Sequence, residues 1–289
     1  MKKILALTMA VAMSLSLAAC GGGNGGASSS KDDASSGVSS STPQGGSASS
    51  AQQPSGGSAT FTTIEEGKLI MSTNAAFPPY EMVADGEGAY KGFDGIDVEI
   101  AAALADKLGL ELVIDDMDFD SAQIAVQQGK SDMILAGLTY NEERDQVMDF
   151  STSYATGVQV VIVADGSDIE SPDDLEGKLI GTQRGTTGNM YCEDDYGVDN
   201  VLGYDNGALA VQALMNGQVD AVVIDNGPAQ AYVAANAGLH ILETEYVIED
   251  YCLAVNEGNT ALLNALNTEI EAMIADGTIQ TIIDKYITE

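Results

Sequence analysis

The sequence predicts an α/β protein built from two lobes of similar construction, and three observations carry that prediction. Short apolar runs of strand length alternate with stretches whose apolar residues recur at helical spacing, the pattern of open, largely parallel sheets. One helix–turn–strand unit occurs twice: Gln128-Gly129-Lys130-Ser131-Asp132 precedes an apolar strand at 133–136, and Asn216-Gly217-Gln218-Val219-Asp220 precedes another at 221–224. A long apolar strand at 157–163 offers a crossing between the lobes, with 251–255 as the return.

The first sixty residues are of a different kind. Met1-Lys2-Lys3, an apolar run over 4–17 and Leu17-Ala18-Ala19-Cys20 give a charged start, an apolar stretch too short to span a bilayer, and small residues before a cleavage point. Leu-Ala-Ala-Cys resembles the lipobox of bacterial lipoproteins. That resemblance implies removal of residues 1–19, a diacylglyceryl thioether on Cys20, and anchoring to the cell membrane on its extracytoplasmic face. Residues 21–60 are mostly Gly, Ser, Ala and Gln, a composition that buries no core and predicts a flexible tether. Gly21, Gly23 and Gly26 formally match a dinucleotide-binding pattern, but no strand precedes them and no helix follows.

Residues 61–289 suffice for one large domain or two modest lobes. The chain carries 44 acidic residues against 11 basic ones, a formal charge of −33. So acidic a surface argues against nucleic acid and anionic membrane as partners. Beyond Cys20 only Cys192 and Cys252 remain, which is no disulfide framework, and their pairing is not legible. His240, the sole histidine, sits between Leu239 and Ile241 and reads as structural.

Element by element, a first strand at 68–73 breaks at Asn74-Ala75-Ala76-Phe77-Pro78-Pro79-Tyr80, a rigid loop. Asp85-Gly86 and Gly92 punctuate a hairpin. Ile100, Leu104 and Leu108 share a helix face, with Asp97 as expected cap and Gly109 as stop. A strand at 110–115 and a helix from Phe119 to about Gln128 follow. The run Asp115, Asp116, Asp118, Asp120 lacks the glycine and the glutamate of a calcium loop and reads as solvated. Past the long strand come a short helix at 172–175, a strand at 179–182, and helices near 187–194, 208–215 and 227–237. Strands at 201–202 and 221–224 separate these, and helices run from Thr260 to the end.

In open α/β sheets ligands bind beyond the carboxyl ends of the strands. Four loops leave such ends with unusual residues: Asn74 and Phe77, Gly137 to Arg144, Arg184 to Thr187, and Asp225. They supply aromatic faces, a cation, hydroxyls with free N–H groups, and an anion, the set a zwitterion needs. Arg144 and Arg184 are the only arginines, and a guanidinium fork suits a carboxylate held bidentately. Arg184 is either a rim cation or faces an acidic ligand. Taken alone, Asp225 also suits a helix N-cap, and Phe77 and Phe119 also suit a core.

Those loops, in that order, resemble the family 3 extracellular solute-binding proteins of polar amino-acid ABC transporters. The resemblance covers the chain from about residue 61. It rests on Thr73-Asn74-Ala75-Ala76-Phe77-Pro78-Pro79-Tyr80-Glu81, Gly95-Ile96-Asp97-Val98-Glu99-Ile100-Ala101, and Ala136-Gly137-Leu138-Thr139 with Arg144. Asp149-Phe150-Ser151, Gly185-Thr186-Thr187-Gly188, Val219-Asp220-Ala221-Val222-Val223-Ile224-Asp225 and Asp276-Gly277-Thr278 complete it. It implies a type II periplasmic-binding-protein-like fold, with two crossover strands as hinge. Lobe one would hold 61–155 and 250–289, lobe two 156–249. It implies further that Arg144 clamps the ligand α-carboxylate with Gly137, Thr139, Thr186 and Thr187, that Asp225 takes the α-ammonium, and that Phe77 and Phe119 flank the side chain. Asn74 stands where several relatives carry Asp, and Asn141 where Thr is usual. A neutral Asn74 points to a neutral polar amino acid such as glutamine or cystine.

The expected function is therefore a monomeric, lipid-anchored amino-acid receptor that feeds an ABC permease, with no cofactor or metal. Two other classes compete: a dehydratase-like enzyme and a sensory ligand-binding module on the same fold. A lone histidine without G-x-S-x-G supports no acyl-transfer triad, and no zinc-ligand cluster is legible; a carboxylate-only mechanism stays open. A sensory module would bring a membrane-spanning segment and an output domain, and neither is legible.

Overall fold

Strands buried on both faces, rather than any single long element, build the two halves of this protein. The computed structural model describes residues 61–243 and 245–287, within one unit of the chain, Ser55–Glu289. The signal, Cys20 and the tether expected over 1–60 lie outside the described residues.

The chain opens with β1 (Lys68–Thr73), then β2 (Ala76–Phe77), β3 (Glu81–Val83) and β4 (Phe93–Asp94), which form a small antiparallel sheet. Helix α1 (Ile96–Leu108), β5 (Glu111–Asp116), α2 (Phe119–Gln127), β6 (Met133–Ile134) and β7 (Met148–Phe150) follow. Next come β8 (Ala155–Ala164), β9 (Ile180–Gln183), α3 (Thr187–Tyr196), β10 (Val201–Tyr204), α4 (Gly207–Met215), β11 (Ala221–Asp225) and α5 (Asn226–Ala235). The last elements are β12 (Leu239–Ile241), β13 (Val247–Tyr251), β14 (Ala254–Asn256), α6 (Thr260–Ala275) and α7 (Thr278–Tyr286).

One sheet has the order β5-β1-β6-β14-β7; the other has β10-β9-β11-β8-β12, with β13 also paired to β8. Leu69 and Met71 of β1 face the cluster built by Ile96, Ile100 and Leu104 of α1 with Leu262, Leu266 and Ile270 of α6. On the opposite face Ser72 donates to the Ala122 carbonyl of α2 at 3.0 Å. In the second sheet Val160 and Ile162 pack with Ala210, Val211 and Leu214 of α4, while Val161 and Val163 pack with Cys192 of α3. Helices cover both faces, so β8 reads as a continuous apolar run.

Neither sheet is wholly parallel, as the alternation alone suggested. β1 runs parallel to β5 and β6, and β9 to β10 and β11, but β14 is antiparallel to β6 and β7, and β8 to β11, β12 and β13. The antiparallel strands flank the two passages between the sheets: a chain returning from the other half enters against the direction of the βαβ units. The passages themselves are shorter than expected. β8 lies wholly inside the second sheet, and the chain crosses at 151–154 and again at 252–253. The crossings bond to each other: Ser151 N–H donates to Leu253 O at 2.9 Å, Leu253 N–H to Ser151 Oγ at 3.0 Å, and Tyr154 N–H to Tyr251 O at 3.0 Å.

The start of α1 also differs. Gly95, not Asp97, holds the cap position, and a Cβ there would fall 2.2 Å from the Tyr80 carbonyl oxygen, so only glycine fits. Asp97 is instead fully buried, and its carboxylate turns to the pocket loop. Gly109 ends α1 in the left-handed conformation, as expected.

Candidate functional site

The carboxyl ends of β1, β6, β9 and β11 converge on one tight pocket. All nine residues singled out from sequence line it: Asn74, Phe77, Phe119, Gly137, Thr139, Arg144, Thr186, Thr187 and Asp225. Ala136, Glu81 and Gln183 complete the wall.

Arg144 follows the loop that leaves β6 and is only 5% exposed. The Asn141 side chain fixes this turn by accepting from the Arg144 backbone N–H at 2.8 Å. The guanidinium donates to Thr139 O at 2.6 Å and, from the far side of the pocket, to Gly185 O at 2.9 Å. Its carbon lies 5.6 Å from the centre of the Phe119 ring, so that aromatic faces the cation. Burial pulls the guanidinium down to about 10, with Glu249, Tyr191 and Asp225 opposing, and it stays charged at neutral pH. Facing it is the first turn of α3. Thr186 spends its side chain as cap, accepting from Asn189 N–H at 3.2 Å and donating to Gln183 O at 2.8 Å. Thr187 opens the helix, and among the described residues its N–H meets no acceptor. A buried fork opposite a helix N-terminus brings together donors of the kind a carboxylate accepts from.

Asp225 ends β11 and occupies the cap position of α5, yet its side chain caps nothing. It accepts instead from the Tyr251 hydroxyl. Burial lifts it to about 7, while the Tyr251 bond works in the other direction. Gly137 sits at φ +53°, and a Cβ there would fall 2.7 Å from the Phe77 ring. Its N–H is donated to Asp97 at 2.7 Å, so the help for a carboxylate expected from Gly137 does not come from that donor.

The opposite end of the pocket is rich in acceptors. Asn74 Nδ2 donates to Met117 O at 2.8 Å, and Asn74 Oδ1 accepts from Gln183 Nε2 at 3.0 Å, leaving Gln183 Oε1 buried without a partner. Glu81 is fully buried with neither oxygen bonded, and it lies against Asp97. Burial and then Asp97 push the Glu81 carboxyl well up, and burial lifts Asp97 to about 7. Two touching carboxyls supply no donor to each other unless one keeps a proton. Gln183 and Glu81 escaped the sequence reading, although Glu81 closes the Phe77-Pro78-Pro79-Tyr80 motif and Gln183 is the last residue of β9. Position at a strand end was the available signal.

Arg184 is not part of this pocket. It is half exposed and pairs with Asp205 at 2.8 Å, which resolves its alternatives in favour of a surface cation. Cys192 and Cys252 are both buried and free. Among the described residues no helix is long and apolar enough to cross a membrane, and no cluster of His, Cys, Asp or Glu could hold a metal.

Comparison with known proteins agrees with this geometry. Residues 69–289 match the model of the bacterial extracellular solute-binding proteins, family 3. ABC transporter arginine-binding protein 1 of Escherichia coli K12 is 29% identical over 80% of this chain and 95% of its own. The L-cystine-binding protein TcyJ of the same strain is 30% identical over 77% of this chain and 83% of its own. A solved structure of an ancestral arginine-binding protein bound to glutamine superposes with a TM-score of 0.72 at 38% identity, covering 78% of this chain and all of that one.

Proposed function

The chain belongs to the bacterial extracellular solute-binding proteins of family 3, amino-acid receptors of ABC transporters rather than enzymes, and we propose that its ligand is an amino acid with a neutral, hydrogen-bond-donating side chain. The observation that carries this reading is the division of the pocket into three chemistries. Arg144 and the first turn of α3 suit an α-carboxylate. Asp225 suits an α-ammonium. The unpartnered Gln183 Oε1, with the Glu81 carboxyl also in the wall, suits a side chain that donates. A glutamine-type amide meets those acceptors without bringing an uncompensated charge into a buried site. An acidic side chain would face acceptors only, since Arg184 is engaged at the surface.

A second reading has a specific observation behind it. Glu81 could serve as counter-charge to a guanidinium or ammonium, and one relative named above is an arginine-binding protein. A thermal-shift panel of the twenty amino acids and cystine separates the two: the largest shift is expected from glutamine or cystine. Arginine or lysine at the top, with binding lost in Glu81→Gln, would replace the first reading by the second.

We further assign lobe one to 61–155 with 250–289 and lobe two to 156–249, and we propose a monomer anchored through lipidated Cys20. A tether of about forty residues has a coil dimension of roughly 35 Å, enough for the binding lobes to reach a permease in the same membrane. Mass spectrometry of the mature protein should find acyl mass on Cys20; an unmodified Cys20 would contradict the anchor.

A further inference from the structure

At or beside each crossing between the halves stands a tyrosine whose hydroxyl is spent on a buried acid. Tyr154, at the end of the first crossing, donates to both oxygens of Asp97 at 2.8 Å, and Asp97 holds the Gly137 N–H. Tyr251, the last residue of β13 and next to the second, donates to Asp225. The two tyrosines are themselves joined, Tyr154 N–H to Tyr251 O at 3.0 Å.

Tyr251 is the more constrained of the pair. It is fully buried, and its ring meets Tyr80 edge-on with centroids 5.1 Å apart. Gly157 of β8 leaves the space the ring fills: a Cβ there would fall 2.3 Å from it. The backbone beside it is held too, because Thr139 of the pocket loop bridges to Tyr251 and Cys252 N–H donates to Leu138 O at 2.9 Å. A phenol so enclosed has few positions for its hydroxyl.

We propose that Tyr251 is a positioning residue for ligand binding, holding the Asp225 carboxylate ionised and aimed at the ligand α-ammonium from the end of the strand that leads into the crossing. This rests on the reading of Asp225 given above. The chemistry is that of a charge-assisted hydrogen bond: a phenol donor stabilises the carboxylate and not the acid. Burial works against it, and the other ionisable groups around Asp225 are Glu249 of β13, Glu81 of β3, Arg144, and the phenols of Tyr80 and Tyr191. Of these only Arg144 is a cation, and it is committed to Thr139 and Gly185; the Tyr251 hydroxyl is the foremost group favouring the charged form, with the Gln159 side chain second.

Calorimetric titration of Tyr251→Phe tests this between pH 6 and 9, with L-glutamine as probe, or L-arginine if that gives the larger thermal shift. Tyr251→Phe should bind about tenfold more weakly at pH 7. In addition, the pH below which affinity falls should move upward, because an Asp225 without its donor stays protonated to higher pH. A loss of packing alone would weaken binding equally at every pH. In an Asp225→Asn background the same substitution should cost little more. Should Tyr251→Phe not fold, Gly157→Ala displaces the same ring from the other side and should give the same upward move. Wild-type affinity and an unmoved profile in Tyr251→Phe, with Asp225→Asn binding lost, would overturn the positioning role while leaving Asp225 in place. Unchanged affinity in Asp225→Asn would overturn both.

Discussion

The Arg144 guanidinium reaches across the pocket to the Gly185 carbonyl at 2.9 Å, while its other nitrogen is held by Thr139 in its own half at 2.6 Å. One buried cation thus touches both halves at the point where a carboxylate would enter. A ligand carboxylate would take over from a neutral carbonyl as its partner, a stronger acceptor for a guanidinium.

Arg144→Ala should therefore weaken amino-acid binding by about 30-fold or more, the cost of removing one partner of a buried charge pair being on the order of 2–5 kcal/mol. Arg144→Lys should not rescue it, since an ammonium lacks the fork that spans Thr139 and Gly185. Calorimetry on the two variants checks this, and wild-type affinity in either would remove Arg144 from the clamp.

The buried acids make the ligand-free protein sensitive to pH in a defined direction. Asp97 and Asp225 are each lifted to about 7, burial being the first cause in both. Between the ordinary carboxylate range and about 7 the folded protein binds more protons than the unfolded chain, so these two groups make stability fall as pH rises through that window. The melting temperature without ligand should be higher at pH 5.5 than at pH 8, within about one unit of the values above. The drop should shrink in Asp225→Asn, which separates this effect from the general repulsion of a −33 chain. An equal drop in that variant would contradict the assignment.

Gly137→Ala should damage the site from the backbone. The residue sits at φ +53°, and the added carbon would meet the Phe77 ring at 2.7 Å. Strain of this kind costs on the order of 1–3 kcal/mol. We expect a lower melting temperature together with weaker binding, because the ring it displaces lines the pocket. Unchanged values for both would show that Phe77 moves aside freely.

Much of this was legible because strand ends declare themselves. Asn74, Gly137 and Asp225 each follow or end an apolar run, and the order of those loops resembled one family. The internal echo at Asp132 and Asp220 also has a physical basis: each carboxylate accepts from a backbone N–H of a neighbouring strand segment at 2.8 Å, that of Ile70 within β1 and that of Leu179 just before β9. What escaped depends on contacts distant in sequence. Asp97 has the spacing of a cap, but whether its carboxylate turns to the helix or to Gly137, forty residues away, is set by packing. β12 and β13 were missed because His240, Glu249 and Asp250 interrupt their apolar pattern; Glu249 is buried all the same, held by Gln159 at 2.8 Å and Tyr191 at 2.9 Å. Arg184 and Arg144 both follow strands, and only the structure shows one turned out to Asp205 and the other in.

On the proposed reading both charged ends of a free amino acid are gripped, the carboxylate by Arg144 with the first turn of α3 and the ammonium by Asp225. The most direct measurement is a calorimetric comparison of the best-binding amino acid with its α-methyl ester and its N-acetyl derivative. Each derivative loses one charge and keeps the side chain. The parent should bind and both derivatives should be at least about 30-fold weaker. A derivative that binds as tightly as the parent would contradict the grip at the end it lacks.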